Sequence, residues 1–251
     1  MKAIILAAGR GSRMKKLTNN RPKCLVELLG RSLLDWQLKS LRSAGVKEIA
    51  IVTGYKREML ADRGLVEFHN HRWHETNMVS SLCYAQDWLS SEPCIVSYSD
   101  IFYSPAAVRS LINCSASLAV TYDPNWLEIW KQRFNDPLED AETFLLTPDN
   151  ILAEIGKKPK SVDEITGQFM GLLRFTPHGW REVSRIRSLI TAELCDQMHM
   201  TETLQKIIET DGVNISAIPH NDAWGEVDSV HDLHIFQNNL AKAPQQIFSD
   251  K

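Results

Sequence analysis

The sequence predicts an α/β protein built on a parallel sheet, and three observations lead there. Residues 3–8 form an unbroken apolar run, the mark of a strand covered on both faces. Leu34, Leu38 and Leu41 then recur at helical spacing, and a second apolar strand follows at 48–53. Strand, helix, strand in that order implies a parallel pair joined by a right-handed crossover. With 251 residues, 43% hydrophobic and 24% charged, the chain has length and apolar content for one large α/β domain or two small ones.

The remaining elements follow in order. Ser32 stands where a cap for the first helix belongs; that helix runs to Ala44 and stops at Gly45. After the strand at 48–53, Gly54-Tyr55 lead into a short helix ending near Leu60. Residues 65–75 read as an irregular surface loop with His69, His71 and His74, one of them near a ligand; no cysteine lies close by and no His-x-x-x-His pair forms a metal signature. Asn77 opens an amphipathic segment over 78–89, broken by Pro93. Residues 94–97 form a strand ending in Tyr98-Ser99-Asp100, and 118–121 form another. Trp126, Trp130 and Phe134 recur every fourth residue, either as a core stripe or as a lid whose aromatics face a substrate. Strands at 142–146 and 151–155 flank Thr147-Pro148-Asp149-Asn150, a hairpin turn. Residues 169–175 form a strand in which Gly171 permits close approach, 181–194 and 201–210 helices, 215–218 a late strand and 230–240 a terminal helix. The organisation expected is one domain over 1–245, with 122–175 forming a lid and hairpin on one side, and a loose tail at 246–251.

Bulk properties exclude several classes. The net charge is −3, which argues against a protein that coats nucleic acid or anionic membrane and for a focused anion site. No stretch approaches the roughly 18 apolar residues of a membrane span, and the first apolar run is too short for a signal peptide. The five cysteines are odd in number and scattered, without Cys-x-x-Cys, which suits reduced thiols in a cytoplasmic protein.

The chemistry concentrates after the first strand. Gly9-Arg10-Gly11-Ser12-Arg13 opens a segment with Arg10, Arg13, Lys15, Lys16, Arg21 and Lys23 and no acid before Glu27. Glycines let backbone N–H groups approach phosphate oxygens, and the cations neutralise their charge. Met14 stands where a dinucleotide fingerprint requires its third glycine, and no Gly-Lys-Ser/Thr forms a Walker loop. In an open α/β sheet ligands bind beyond the carboxyl ends of the strands, so Asp100 is a candidate for Mg²⁺ as well as for a helix cap. A second acid, Asp228, precedes the terminal helix.

Leu6-Ala7-Ala8-Gly9-x-Gly11-x-Arg13, followed by Pro22-Lys23, resembles the signature of the nucleotidyltransferases that make sugar nucleotides and CDP-alcohols. The similarity continues through Thr53-Gly54-Tyr55, Asn77, Asp100 and Glu226-Val227-Asp228, and so spans nearly the whole chain. Within the family it is greatest to the short bacterial cytidylyltransferases, such as those acting on phosphocholine, phosphonates or phosphoglutamine. Segments 76–78, 97–103, 136–142 and 154–158 point to the last of these, and Ser99 stands before Asp100 where sugar-nucleotide enzymes usually carry glycine.

The resemblance implies a Rossmann-like three-layer α/β/α core with a mixed, mostly parallel sheet and a small acceptor-side subregion, as in nucleotide-diphospho-sugar transferases. It implies transfer of CMP from CTP to a small phosphorylated or phosphonate acceptor, with release of pyrophosphate, for cell-surface or capsule modification. Leu6, Ala7, Ala8, Gly9, Arg10, Gly11 and Ser12 would wrap the nucleotide, with Gly54, Asn77 and Ser99 beside it. Arg13 and Lys23 would hold its phosphates, Ser81 or Ser80 would read the base, and Asp100 and Asp228 would bind Mg²⁺. Tyr103, Trp126, Trp130, Arg133, Lys157 and Trp224 are the acceptor candidates: a trimethylammonium acceptor calls for an aromatic cage, an amino-acid acceptor for a cation plus an acid such as Asp136 or Asp140. A sugar-1-phosphate nucleotidyltransferase using UTP, dTTP or GTP and a nucleotide-sensing regulatory domain are the alternatives.

Overall fold

Side-chain alternation along the first strand sets the architecture. In a computed structural model of the protein, which describes residues 1–242, Lys2–Ala7 forms β1. Ala3, Ile5 and Ala7 enter one hydrophobic core, whereas Ile4, Leu6 and the following Ala8 enter another. A strand without a polar face requires a sheet covered on both sides. Six strands extend it: β2 (Glu48–Thr53), β3 (Val66–His69), β4 (Cys94–Tyr98), β5 (Leu118–Asp123), β6 (Gln168–Phe175) and β7 (Ile215–Pro219). The order is β7-β5-β6-β4-β1-β2-β3. Neighbours are parallel except at β6, which runs antiparallel to both β4 and β5. The sheet is thus mixed and mostly parallel, between two helical layers.

Helices Leu33–Ser43 and Pro105–Asn113 cover one face through Leu34, Leu38, Leu41, Val108 and Leu111. Met78–Leu82, Pro177–Ser188 and Met200–Glu209 cover the other through Val79, Leu82, Val183, Leu204 and Ile207. Ser32 caps the first helix by accepting from the Asp35 backbone N–H at 3.1 Å, and Gly45, at φ 91°, ends it. A third core, including Met14, Leu28, Trp36, Phe102, Val227 and Phe236, ties the terminal helix Val230–Lys242 to the loop after β1.

The structure departs from the sequence pattern where segments are too short or too exposed to show a period. Residues 66–69, read as loop, form the edge strand β3, paired parallel with β2. Ile101–Tyr103 and Trp224–Glu226 form an antiparallel ribbon of three residues each. The pattern at 181–194 is two helices: Thr176 caps Pro177–Ser188 by accepting from Gly179 N–H, and Thr191 caps Ala192–Gln197. The tail expected to be loose, 246–251, lies outside the described residues. No described helix is long and apolar enough to cross a membrane.

β6 needs Gly171. Its φ of 75° is left-handed, and a Cβ there would stand 2.8 Å from the Tyr98 ring, at a register shift between β6 and β5. Gly171→Ala therefore combines left-handed strain with a clash. We expect it to cost about 1–3 kcal/mol of stability, visible as a lower denaturation midpoint; an unchanged midpoint contradicts this account.

Candidate active site

The parallel strands open their carboxyl ends on one edge, and the loop after β1 crosses it. The chain turns at Gly11, whose φ of 69° is left-handed. Thr18, fully buried, donates its hydroxyl to the Gly11 carbonyl at 2.9 Å, and Met14 N–H donates to the same carbonyl at 3.1 Å. A Cβ on Gly11 would lie 2.7 Å from Cβ of Lys23. The glycine turn and the lysine of Pro22-Lys23 are pressed together, so the two parts of the motif meet in the fold.

Lys23 is 6% exposed. Its Nζ donates to Asp100 Oδ2 at 2.7 Å and to Asp228 Oδ1. Burial disfavours its charge, but Asp100, Asp228 and Glu226 outweigh burial and hold its pKa above the ordinary lysine value. The ribbon delivers Asp228: Val227 N–H donates to the Asp100 carbonyl at 2.9 Å, and Asp232 Oδ2 accepts from the N–H groups of Asp228 at 3.1 Å and Ser229 at 2.8 Å.

Glu226 joins the two aspartates, and carboxylate oxygens of all three lie within 4.8 Å of one another. Burial, then Asp228 and Asp100, push Glu226 up to about 8. For Asp228 the effect of burial is outweighed by Lys23, Arg13 and Arg133, which lower its pKa. Arg13 Nη1 lies 3.1 Å from Asp228 Oδ2. Asp100 Oδ1 is buried with no hydrogen-bond partner among the described residues. Clustered carboxylates with an oxygen left unsatisfied fit a hard divalent cation.

Two cavities meet at this seam and share Arg13, Met78 and Tyr98. The first, of about 320 Å³, is walled by Leu6, Ala8, Gly9, Gly11, Ser12, Arg13, Lys23, Asn77, Ser81, Ser99 and Asp100. Four expected neighbours stand elsewhere. Ala7 packs into the core, and Arg10 donates to Asn19 Oδ1 at 3.0 Å. Gly54 lies behind Trp73, which a Cβ there would meet at 2.5 Å. Ser80 donates to the Cys195 carbonyl at 3.1 Å. Trp73 itself lines the cavity; the sequence reading missed it, because it sits in the segment taken for loop.

The second cavity, of about 270 Å³, is lined by Trp130, Asp140, Glu142, Phe144, Gln168, Phe169, His199, Thr201, Glu226 and Asp228, among others. Of the six acceptor candidates only Trp130 reaches it, and of the two acids offered beside them Asp140 does and Asp136 does not. Tyr103 is buried and donates to Ser97 Oγ at 3.1 Å. Trp126 packs against Trp130 with ring centroids 5.9 Å apart, and Trp224 donates to Asp123 Oδ2 at 2.9 Å. Arg133 sits behind the acids: its Nε donates to Asp232 Oδ1 at 3.0 Å, and its guanidinium stands 3.7 Å from Glu226 and 3.8 Å from Asp228. Lys157 is on the surface, paired with Glu154 at 2.6 Å. The aromatic spacing is therefore a core stripe with one ring at the cavity wall. His69, His71 and His74 face separate partners, Thr53, Tyr84 and Glu75.

A glycine turn with buried and exposed cations, opposite clustered carboxylates at the edge of this sheet, suits the phosphates of a nucleotide and a divalent cation. The chain belongs to the family of the MobA-like NTP transferase domain, whose profile matches residues 3–143. It is 37% identical to the CTP:phosphoglutamine cytidylyltransferase of Campylobacter jejuni subsp. jejuni serotype O:2, over 94% of this chain and 98% of that relative. Its fold is shared with the inositol-1-phosphate CTP transferase from T. maritima (TM-score 0.74, 20% identity, 96% of each chain). It is shared also with the CTP:phosphocholine cytidylyltransferase from Streptococcus pneumoniae (TM-score 0.73, 20% identity, 95% of this chain and 98% of that one).

The contact between Gly11 and Lys23 makes a prediction. Gly11→Ala should fold, by circular dichroism, yet lose about 100-fold or more in nucleotidyl transfer, because the new methyl displaces the lysine. Near-normal turnover in the folded variant would show that the packing is incidental.

Proposed function

We propose that the protein transfers CMP from CTP to the phosphate or phosphonate of a small acceptor and releases pyrophosphate. The observation that carries this reading is the seam: the glycine-loop cavity and the acidic cavity share Arg13, with Lys23 and the carboxylates beside it. A triphosphate in the first and a phosphorylated acceptor in the second would bring the α-phosphorus and the attacking oxygen together there. The similarity to a CTP-using enzyme over nearly the whole chain supports CTP as the donor. It also supports an acceptor of the phosphoglutamine kind; phosphocholine and aminoethylphosphonate are proposed beside it, for cell-surface or capsule modification. All five cysteines are free, in keeping with a reducing cytoplasm.

The step needs no covalent intermediate. An acceptor oxygen attacks the α-phosphorus in line, a P–O bond forms, the bond to the β-bridging oxygen breaks, and pyrophosphate leaves with that electron pair. What the protein supplies is position and charge. Lys23 and Arg13 neutralise the donor phosphates, and the backbone of Ala8 to Gly11 fixes their place; Ser81 and Asn77, in the wall of the donor cavity, are suited to the base. Asp100 and Asp228, with Glu226 beside them, would hold Mg²⁺, which supplies positive charge against the phosphates when bound.

Pyrophosphate release tests the reading with CTP, UTP, dTTP and GTP against phosphoglutamine, phosphocholine, aminoethylphosphonate and a hexose 1-phosphate. Turnover with CTP and one of the first three acceptors is expected. UTP or dTTP with the hexose phosphate would replace this reading, and no turnover at all would leave a nucleotide sensor. Lys23→Ala and Asp228→Asn should each lower the rate by roughly 100- to 1000-fold, as loss of a transition-state contact does. EDTA should abolish turnover and Mg²⁺ restore it.

A further inference from the structure

Three polar side chains in the wall of the donor cavity have already committed their protons. Besides the cationic loop, the segment 73–81 lines that cavity through Trp73, Thr76, Asn77, Met78 and Ser81. Thr76 Oγ1 donates to the Arg72 carbonyl at 3.0 Å, and Ser81 Oγ donates to the Asn77 carbonyl at 3.3 Å. Asn77 Nδ2 donates to the Gln197 carbonyl at 3.1 Å and meets His199 Nε2 at 3.1 Å.

Asn70 fixes this arrangement from behind the wall. It is fully buried, and its Nδ2 donates to Thr76 Oγ1 and to Ser81 Oγ, each at 2.9 Å. Its Oδ1 accepts from the Arg72 backbone N–H at 2.9 Å, and its own backbone N–H donates to the Thr53 carbonyl, at the end of β2, at 2.9 Å. Turning the amide over would set its N–H groups against the Arg72 N–H, so the network admits one orientation. A hydroxyl has one proton and two lone pairs. Thr76 and Ser81 each give the proton to a carbonyl and take an N–H from Asn70, which leaves each with a lone pair. A free hydroxyl turns to donate or accept as its ligand requires; these two are held as acceptors. The 4-amino group of cytosine donates to such oxygens, whereas in the same pose uracil would bring its 4-carbonyl oxygen against them.

We propose that Asn70 is a positioning residue that makes the donor cavity select a 4-amino over a 4-oxo pyrimidine, by holding the hydroxyls of Thr76 and Ser81 as acceptors; this rests on reading that cavity as the donor side. CTP and UTP test it, each with Mg²⁺. Both are titrated calorimetrically into the full chain, which needs neither acceptor nor turnover, and kcat/KM for each is measured by pyrophosphate release.

Wild type should bind CTP at least about tenfold more tightly than UTP. Asn70→Ala should bring the two within about threefold, because both hydroxyls become free to turn. The ratio is the decisive readout: a merely structural role would weaken both nucleotides together and leave it unchanged. Thr76→Val combined with Ser81→Ala removes the acceptors and keeps Asn70; it should narrow the ratio likewise, and it carries the test if Asn70→Ala does not fold by circular dichroism. No preference for CTP in wild type, or a preference that survives in either variant once folded, overturns the proposal. CTP turnover with such surviving selectivity leaves the transfer reading standing. CTP-selective binding that depends on Asn70 but comes without turnover sustains the proposal and removes the transfer reading instead.

Discussion

A lysine amine buried between two carboxylates is the contact on which the rest of the structure depends. Lys23 comes from the loop after β1, Asp100 from the end of β4 and Asp228 from beyond the Trp224–Glu226 strand. Charges removed from water are retained only when opposite charges and hydrogen bonds accompany them, and deleting one partner of such a group commonly costs about 3–5 kcal/mol. The contact joins segments far apart in the chain and sets the charge at the sheet edge. On the proposed reading a triphosphate would compete for the same lysine and for Arg13, so donor binding would exchange one set of anionic partners for another.

Holding that contact in place is the work of the smaller packing units. The third core buries Met14 next to Arg13 and Val227 between Glu226 and Asp228, so one apolar cluster fixes residues on both sides of the charged group. Asp232 fastens the backbone of Asp228 and Ser229, and Arg133 lies behind the same acids. The large sheet cores supply rigidity to the strands. The position of the chemistry, within a few ångströms, is decided by the loop, the ribbon and the terminal helix.

This division explains what was legible in the sequence. The donor half was, because its constraints are local: a left-handed glycine, a buried strand before it and a lysine a short loop away can be read from neighbouring residues. Asp100 was legible through its position at a strand end, and Asp228 through the resemblance. Apart from Arg13 and Asp228, the second cavity was legible only at Trp130 and Asp140. Apolar spacing does not separate a ring at a cavity wall from a ring in the core, so Trp126 and Trp224 looked like Trp130 although only Trp130 reaches the cavity. Arg133 looked available because its partners lie on a distant helix. Glu142, His199 and Thr201 meet only through the fold, and the ribbon strands are too short to show an alternation.

The two cavities differ in charge, and on the proposed reading this would orient the acceptor. Gly11, Arg13 and Lys23 line the donor side, whereas Asp140 and Glu142 line only the second cavity. On the proposed reading an acceptor's phosphate would lie at the seam beside Arg13 rather than along the wall. Along the wall that phosphate would face Asp140 and Glu142, in surroundings where like charges repel more strongly than in water. At the seam its attacking oxygen would face the donor cavity. The negative wall therefore does not oppose transfer between two anions. It would align one of them, and the cations of the glycine loop would neutralise the other.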